Sequence, residues 1–215
     1  MKTTTRWAWI LIGLLAGQAA LAQRPEYRPP RFEIAPMGGY RIGGEFDVED
    51  NDGGNARSVD FEEAGSWGLG LGIYRDPNGF YEFLYSRQTT ELDDPDPALG
   101  SVDITTEYYQ LGGTLLFDPE PWLRPYLSLT IGITRFDADG FGSEIKPSGS
   151  LGVGLRFPVG ERLSFLTGLR GYGTLVDSNT DLFCSSVNGE AVCLVQGSGD
   201  VVYQGEVVAG FVLRF

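Results

Sequence analysis

The segment YQGEVVAGFVLRF at residues 203–215 alternates apolar and polar side chains with a period of two. Successive side chains of a β-strand point to opposite faces, so this period indicates a strand. One face of the strand would carry Tyr203, Gly205, Val207, Ala209, Phe211, Leu213 and Phe215. The other would carry Gln204, Glu206, Gly210 and Arg214, with Val202, Val208 and Val212 as apolar exceptions. The segment therefore predicts a strand whose second face must accommodate charges of both signs.

Seven further segments show the same alternation. They are residues 32–46, 66–74, 80–88, 104–117, 127–134, 151–157 and 165–170. The first of them is weaker, because Pro36 and several glycines interrupt it. Its phase predicts two sets of side chains. Those that point outward are Ile34, Tyr40, Ile42 and Phe46, and those that point inward are Met37, Arg41 and Glu45. With residues 203–215, these segments give eight predicted strands.

The connections between the predicted strands alternate in length. Three are short and rich in turn-forming residues, at 75–79, 118–124 and 158–161. Four are long, at 47–65, 89–103, 137–147 and 174–200. Short turns at one end and long loops at the other are typical of transmembrane barrels with periplasmic turns and external loops. We therefore predict an all-β fold, an eight-stranded antiparallel up-and-down transmembrane β-barrel.

A soluble sandwich or a lipocalin-like cup would also alternate, so the position of the apolar face has to separate the alternatives. A narrow barrel in lipid must be apolar outside, and its crowded interior can be polar. Glycines on the minority face fit that crowding, since they admit large neighbours such as Tyr108 and Arg170. Aromatic residues also cluster near both ends of the predicted strands, as the two membrane interfaces would require. These features favour lipid outside over a soluble core.

The first residues predict export. Lys2 and Arg6 precede a short apolar run at 7–17, and Ala20-Leu21-Ala22 offers a small-x-small cleavage pattern. We expect a signal peptide at 1–22, a periplasmic segment at 23–31 and the barrel at 32–215; a retained anchor helix is the less favoured alternative. In an exported chain, the close pair Cys184 and Cys193 predicts a disulfide that closes a surface loop.

The predicted signal peptide, the eight-strand plan and the segment VVAGFVLRF at 207–215 resemble the small OmpA/OmpX-type outer-membrane barrels. The resemblance covers the exported part of the chain and implies localisation in the outer membrane, in contact with its lipid and lipopolysaccharide. The alternate apolar residues Phe211, Leu213 and Phe215 look like the signal that the barrel-assembly machinery recognises in that family. The family resemblance also favours a monomer.

Several kinds of chemistry are excluded by composition. The chain contains no histidine, which excludes a Ser-His-Asp hydrolase, a histidine-dependent lipid A enzyme and a histidine metal site. A carboxylate-only enzyme stays open, but no acidic pair is placed convincingly for it. The formal net charge of −13 would repel nucleic acid. We therefore predict no catalysis, no metal, no cofactor and no nucleic-acid partner.

Seven charged residues fall on predicted inward positions: Arg41, Glu45, Glu82, Arg156, Arg170, Glu206 and Arg214. Because buried charges must be paired, they would form an ion-pair network that plugs the barrel or line a narrow channel. Eight strands leave room only for side chains, which favours the plug. The acidic stretches at 47–54, 93–96 and 137–140 predict solvated external loops rather than divalent-cation sites. A structural or surface-interaction barrel is thus the first hypothesis, a small pore the second and a soluble periplasmic binding barrel the third.

Overall fold

A computed structural model describes residues 31–49, 56–93, 102–117, 122–138, 142–176, 181–187, 190–196 and 201–215. The described residues form twelve strands. They are β1 Phe32–Ile42, β2 Glu45–Glu49, β3 Ala56–Phe61, β4 Ala64–Asp76, β5 Gly79–Asp93, β6 Val102–Leu116, β7 Arg124–Ala138, β8 Gly142–Pro158, β9 Leu163–Leu175, β10 Asp181–Val187, β11 Glu190–Gln196 and β12 Val201–Arg214. No described residue belongs to a helix, so nowhere in these ranges is there a helix long and apolar enough to cross a membrane.

Eight of the strands close into a barrel in which every neighbouring pair is antiparallel. Going round the wall, the order is β1, β4, β5, β6, β7, β8, β9, β12 and back to β1. The closing pair joins the first and last barrel strands, with Met37 opposite Gly210 and Arg41 opposite Glu206. This arrangement confirms the predicted eight-stranded antiparallel barrel, and closure leaves the wall without a free sheet edge.

The seam between β1 and β12 continues to the ends of both strands. The amide of Arg31 donates to the carbonyl of Phe215 over 2.7 Å, and the amide of Phe215 donates to the carbonyl of Phe32 over 2.8 Å. Residues 31 and 215 therefore lie at the same end of the barrel as the short turns after β4, β6 and β8. The connections at the opposite end include the two additional hairpins, β2–β3 and β10–β11.

The predicted first strand, 32–46, is too long. The barrel strand ends at Ile42, because Gly43 and Gly44 have φ values of 80° and 112°, a left-handed conformation that breaks the ladder and suits glycine. Glu45 begins the separate strand β2 and pairs with Asp60 of β3. The prediction that Glu45 belongs to the first barrel strand was therefore wrong. Its side chain lies outside the described residues, so its inward direction stays a prediction.

The predicted loops are also longer than the connections that the structure describes. Strand β5 continues to Asp93, and β7 and β8 leave only residues 139–141 between Ala138 and Gly142. Apolar alternation stops where the outer face becomes polar, whereas the backbone hydrogen-bond ladder needs no apolar side chains to continue. Sequence alternation therefore marks the apolar band of a strand and misses its polar extension.

The two faces of the wall have the polarity expected of a barrel in lipid. Large apolar side chains point outward and are exposed, with Ile131 at 73% and Leu129 and Leu111 at 63%. The inward positions hold mostly polar and charged residues that are nearly inaccessible. Three small apolar clusters lie among them, one around Val208 and Val212, one around Phe80 and one around Tyr108. The protein is thus apolar outside and polar inside.

Candidate functional site: the charged interior of the barrel

Three ion pairs lie in the interior at successive levels along the barrel, and the second and third join strands that are not neighbours. The upper pair is Arg41–Glu206, with 3.1 Å between Nη2 and Oε1. The middle pair is Arg170–Glu82, with 3.5 Å between Nη2 and Oε1. The lower pair is Arg156–Glu33, with 2.8 Å between Nη1 and Oε2. "Upper" is the end of the barrel away from the short turns. All six residues are buried, so each charge has lost its water and depends on its partner.

The upper pair is surrounded by hydroxyl groups and aromatic rings. Glu206 accepts hydrogen bonds from Ser66 and, over 2.6 Å, from the hydroxyl of Tyr172. Arg41 donates to Ser86 over 2.5 Å, and its guanidinium carbon lies 4.9 Å and 4.8 Å from the ring centres of Tyr108 and Tyr172. Those two rings stack with 4.1 Å between their centres.

Two nitrogens of the Arg41 guanidinium, Nε and Nη1, have no hydrogen-bond partner among the described residues. The guanidinium lies beside the stacked rings of Tyr108 and Tyr172, within 5 Å of both ring centres, and aromatic rings attract a desolvated cation. The two rings therefore offset part of the cost of burying these nitrogens and hold Arg41 across the lumen.

The middle pair is held by a row of small hydroxyl side chains. Oε2 of Glu82 accepts hydrogen bonds from Ser128 over 2.6 Å and from Thr114 over 2.7 Å. Arg170 donates through Nη1 to Ser150 over 3.1 Å. Five strands, β5 to β9, thus contribute to one level, which ties opposite parts of the wall together through side chains.

The lower pair has the best geometry of the three. Both terminal nitrogens of Arg156 donate to Glu33, over 2.8 Å and 2.9 Å, which is the two-fold contact that an arginine fork and a carboxylate favour. The hydroxyl of Tyr74 also donates to Glu33 over 2.6 Å. The guanidinium of Arg156 lies 4.9 Å from the ring centre of Phe80, so an aromatic ring shields it on one side.

Inward glycines provide the space for these large side chains. A Cβ atom on Gly72 would lie 2.5 Å from Cγ of Glu33, and one on Gly152 would lie 3.3 Å from Cζ of Arg170. Any other residue at these positions would push against an ion pair. The crowding of the interior thus explains why glycine alternates with apolar residues on β4 and β8.

Little free space remains beside the upper and middle pairs. Beside Arg170, Tyr172 and Glu206 there is a cavity of about 10 Å³, which is at most the room that one water molecule needs. A hydrated ion is several times larger. In the part of the barrel that the structure describes, the middle and upper pairs therefore block the lumen.

The structure brings together most of the predicted inward charges. Arg41 lies against Glu206, and Arg170 lies against Glu82. Arg156 pairs instead with Glu33, a residue that the sequence analysis did not single out. Arg214 lies directly opposite Glu33 on the neighbouring strand and donates to Ser164 over 3.4 Å. Glu33 has the same parity as Arg41 on β1, so the phase already predicted for that strand could have identified it.

The predicted assembly residues lie on the outer face. Phe211, Leu213 and Phe215 point outward from β12 at the short-turn end, and Phe215 is 58% exposed. Within the described ranges there is no group of three or more histidine, cysteine, aspartate or glutamate residues that could hold a metal ion.

Cys184 and Cys193 lie directly opposite each other on the β10–β11 hairpin. Their side chains are outside the described residues, so the disulfide stays a prediction. We expect thiol labelling of the oxidised protein in denaturant to modify neither cysteine, and labelling after reduction to modify both. Labelling of both cysteines without reduction would contradict the pairing, provided that the protein was prepared from an oxidising compartment.

Comparison with solved structures identifies the class of fold. The chain matches the crystal structure of Neisserial surface protein A with a TM-score of 0.56 and 15% identity, over 86% of this chain and 97% of that one. It matches the solid-state NMR structure of outer membrane protein AlkL in DMPC bilayers with a TM-score of 0.56 and 14% identity, over 90% of this chain and 94% of that one. The chain has the fold of a small outer-membrane β-barrel.

The sequence of this barrel shares no more than 15% identity with those two neighbours. No protein-family model matches it, and no curated protein matches it either. A further structural match is the outer membrane protease OmpT from Escherichia coli, with a TM-score of 0.45 and 9% identity over 90% of this chain and 99% of that one. That likeness is too weak to bear on catalysis by this barrel.

Proposed function

We propose that this chain is an integral outer-membrane barrel with a closed lumen, which acts as a structural or surface-interaction protein through the connections at its upper end. The observation that carries the proposal is the reversed polarity of the wall, with Ile131 and Leu129 exposed outside and three ion pairs buried inside. A soluble barrel would place these groups the other way round, because its core excludes water.

Aromatic side chains at both rims of the outer face support the membrane assignment. Trp67, Tyr85 and Tyr109 form a continuous row towards the upper end, with ring centres 5.3 Å and 5.1 Å apart. At the lower end, Phe165 contacts Phe157 and Phe211, with ring centres 6.3 Å and 5.8 Å apart. Rings prefer the level at which headgroups meet hydrocarbon. The two groups of rings would therefore mark the two faces of the membrane.

The remaining parts of the proposal follow from the sequence. Residues 1–22 would be removed on export, residues 23–31 would lie in the periplasm, and residues 32–215 would form the barrel. The outward residues Phe211, Leu213 and Phe215 would be recognised by the barrel-assembly machinery, and lipid and lipopolysaccharide would surround the monomer. Recovery of the mature protein in the soluble fraction without detergent would overturn this localisation.

Because the proposed lumen is closed, the barrel is expected not to conduct ions. In planar bilayers we expect the wild-type protein to give no reproducible conductance steps, because the charged side chains of the upper and middle pairs fill the lumen. A variant with serine at all six residues of the upper, middle and lower pairs should conduct, since it removes the charged side chains that block the lumen. Water that enters the opened lumen would supply hydrogen-bond partners to the neighbouring polar groups.

The control for the conductance measurement is the folded state of each variant, followed by the faster migration of unboiled barrel on a denaturing gel. Reproducible single-channel steps from folded wild-type protein would contradict the closed lumen and favour the small-pore hypothesis. A folded serine variant that does not conduct would show that the three ion pairs are not what closes the barrel.

A further inference from the structure

A second group of charged residues lies on the outer face of the wall, where the proposed function would place lipid. It occupies the upper ends of β5, β6 and β7, and its members are Arg87, Asp103, Glu107, Arg135 and Asp137, with the hydroxyls of Thr89 and Thr105. We call it the outer polar patch. These residues surround an open cavity of about 370 Å³.

The strand register sets the patch in three rows. The first row is Arg87, Glu107 and Arg135, which are direct cross-strand neighbours. The second is Thr89, Thr105 and Asp137, and Asp103 lies in the third. Immediately below the first row, Tyr85 is paired with Tyr109. The patch therefore begins where the upper row of aromatic rings ends.

The aromatic rings and the patch are connected by hydrogen bonds. The hydroxyls of Tyr85 and Tyr109 donate to Glu107 over 2.7 Å and 3.4 Å. Charges are costly within the hydrocarbon and rings of this kind mark its boundary. In the membrane orientation of the proposed function, the patch thus meets the layer of lipid headgroups rather than acyl chains.

Both arginines of the patch are accessible to a ligand. The carboxylate of Glu107 is largely buried and lies between them, 3.9 Å from Nη1 of Arg87 and 3.5 Å from Nη1 of Arg135. The two arginine side chains are 43% and 40% exposed. Each guanidinium carries five N–H donors in a planar fork that suits phosphate oxygens.

The carboxylates of the patch restrict which headgroup can bind. Asp137 accepts from Arg135 over 2.6 Å and is 42% exposed, and Asp103 is also exposed on the lining. With two arginines and three carboxylates, the patch has a small net negative charge, so a purely anionic headgroup would be repelled by the carboxylates. A purely cationic one would be repelled by the arginines.

We propose that the outer polar patch is a docking site for a membrane lipid whose headgroup carries both a phosphate and a primary amine. The phosphate would accept hydrogen bonds from Arg87 and Arg135, and the ammonium group would donate to Asp103 and Asp137. The inference rests on the proposed function, since it needs the barrel to be surrounded by lipid.

Native mass spectrometry of the detergent-solubilised barrel tests this site with two lipid probes, phosphatidylethanolamine and phosphatidylglycerol. We expect wild-type protein to retain phosphatidylethanolamine several-fold more than phosphatidylglycerol. Replacing both Arg87 and Arg135 with glutamine should lower phosphatidylethanolamine retention about tenfold, because charge-assisted hydrogen bonds are lost. The matched control is Arg75→Gln, which removes an exposed arginine at the lower end and should leave retention unchanged.

A second variant keeps the test independent of the folding of the double variant. Asp103→Asn removes one predicted acceptor of the ammonium group and should narrow the preference for phosphatidylethanolamine. Equal retention of the two lipids by folded wild-type protein would overturn the site, and so would unchanged preference in both variants. Failure of the wild-type protein to insert into bilayers at all would instead overturn the proposed function.

Discussion

Replacing Ile131 with arginine is expected to weaken folding into bilayers by about 2–4 kcal/mol, because the new charge would face lipid near the middle of the wall. Ile131 is the most exposed large apolar residue of the described wall, at 73%. In a soluble barrel the same substitution on a water-facing position would be close to neutral. The measurement is the folding free energy into lipid vesicles from a urea titration, where this loss is roughly a 30- to 900-fold shift of the equilibrium.

The matched control is Val159→Arg. Val159 is similarly exposed, at 68%, but it lies in the short turn after β8, where its amide donates to Leu163. An arginine there would reach water beyond the membrane, so its effect should stay within the scatter of surface substitutions. Equal effects of the two substitutions would show that the outer face of β7 does not meet lipid.

Removing the carboxylate of Glu33 is the second substitution with a large expected effect. Glu33→Ala leaves the guanidinium of Arg156 buried without the two hydrogen bonds that it makes to Glu33. An uncompensated buried charge destabilises a fold by about 3–5 kcal/mol. We therefore expect a large fall in the urea midpoint of the vesicle-inserted barrel.

Two further variants separate an orphaned charge from lost packing. The double substitution Glu33→Leu with Arg156→Met removes both charges and should recover much of the stability lost in Glu33→Ala. Arg75→Ala breaks an exposed pair with Asp76 and should leave the midpoint unchanged, since solvent screens such pairs. If the double variant were as unstable as Glu33→Ala, packing rather than charge pairing would be what Glu33 provides.

The strand plan could be predicted from the sequence because alternation on the wall is enforced by the surroundings of each face. On β12 the outward positions Val207, Phe211 and Leu213 are exposed, and Glu206 is buried, as the period-two pattern predicts. The family resemblance also predicted the fold that the comparison with solved structures shows. These successes share one cause, namely that each strand has a single apolar outer band.

The pairing of charges across the interior could be predicted only in part. Parity along a strand shows that Arg156 and Glu82 point inward, but it does not say which level of the barrel they reach. That level depends on the stagger between strands that are far apart in sequence. Arg156 therefore pairs with Glu33, 123 positions away, and the sequence alone contained no measure of that stagger.

The outer polar patch was missed for a different reason. The alternation predicted a uniformly apolar outer face and a third strand that ends at Gln88. The structure extends β5 to Asp93, so Thr89 also belongs to the wall, and Arg87 and Thr89 lie opposite Glu107 and Thr105 of β6. Charged residues on outward positions beyond an aromatic ring are the signal that would have indicated the patch.

The most direct test of the central claim, a barrel that is apolar outside and plugged by ion pairs inside, is refolding of the urea-unfolded protein with and without lipid vesicles. We predict β-structure by circular dichroism and faster migration of unboiled protein on a denaturing gel only when vesicles are present. A folded, monomeric protein in buffer without lipid or detergent would contradict the account.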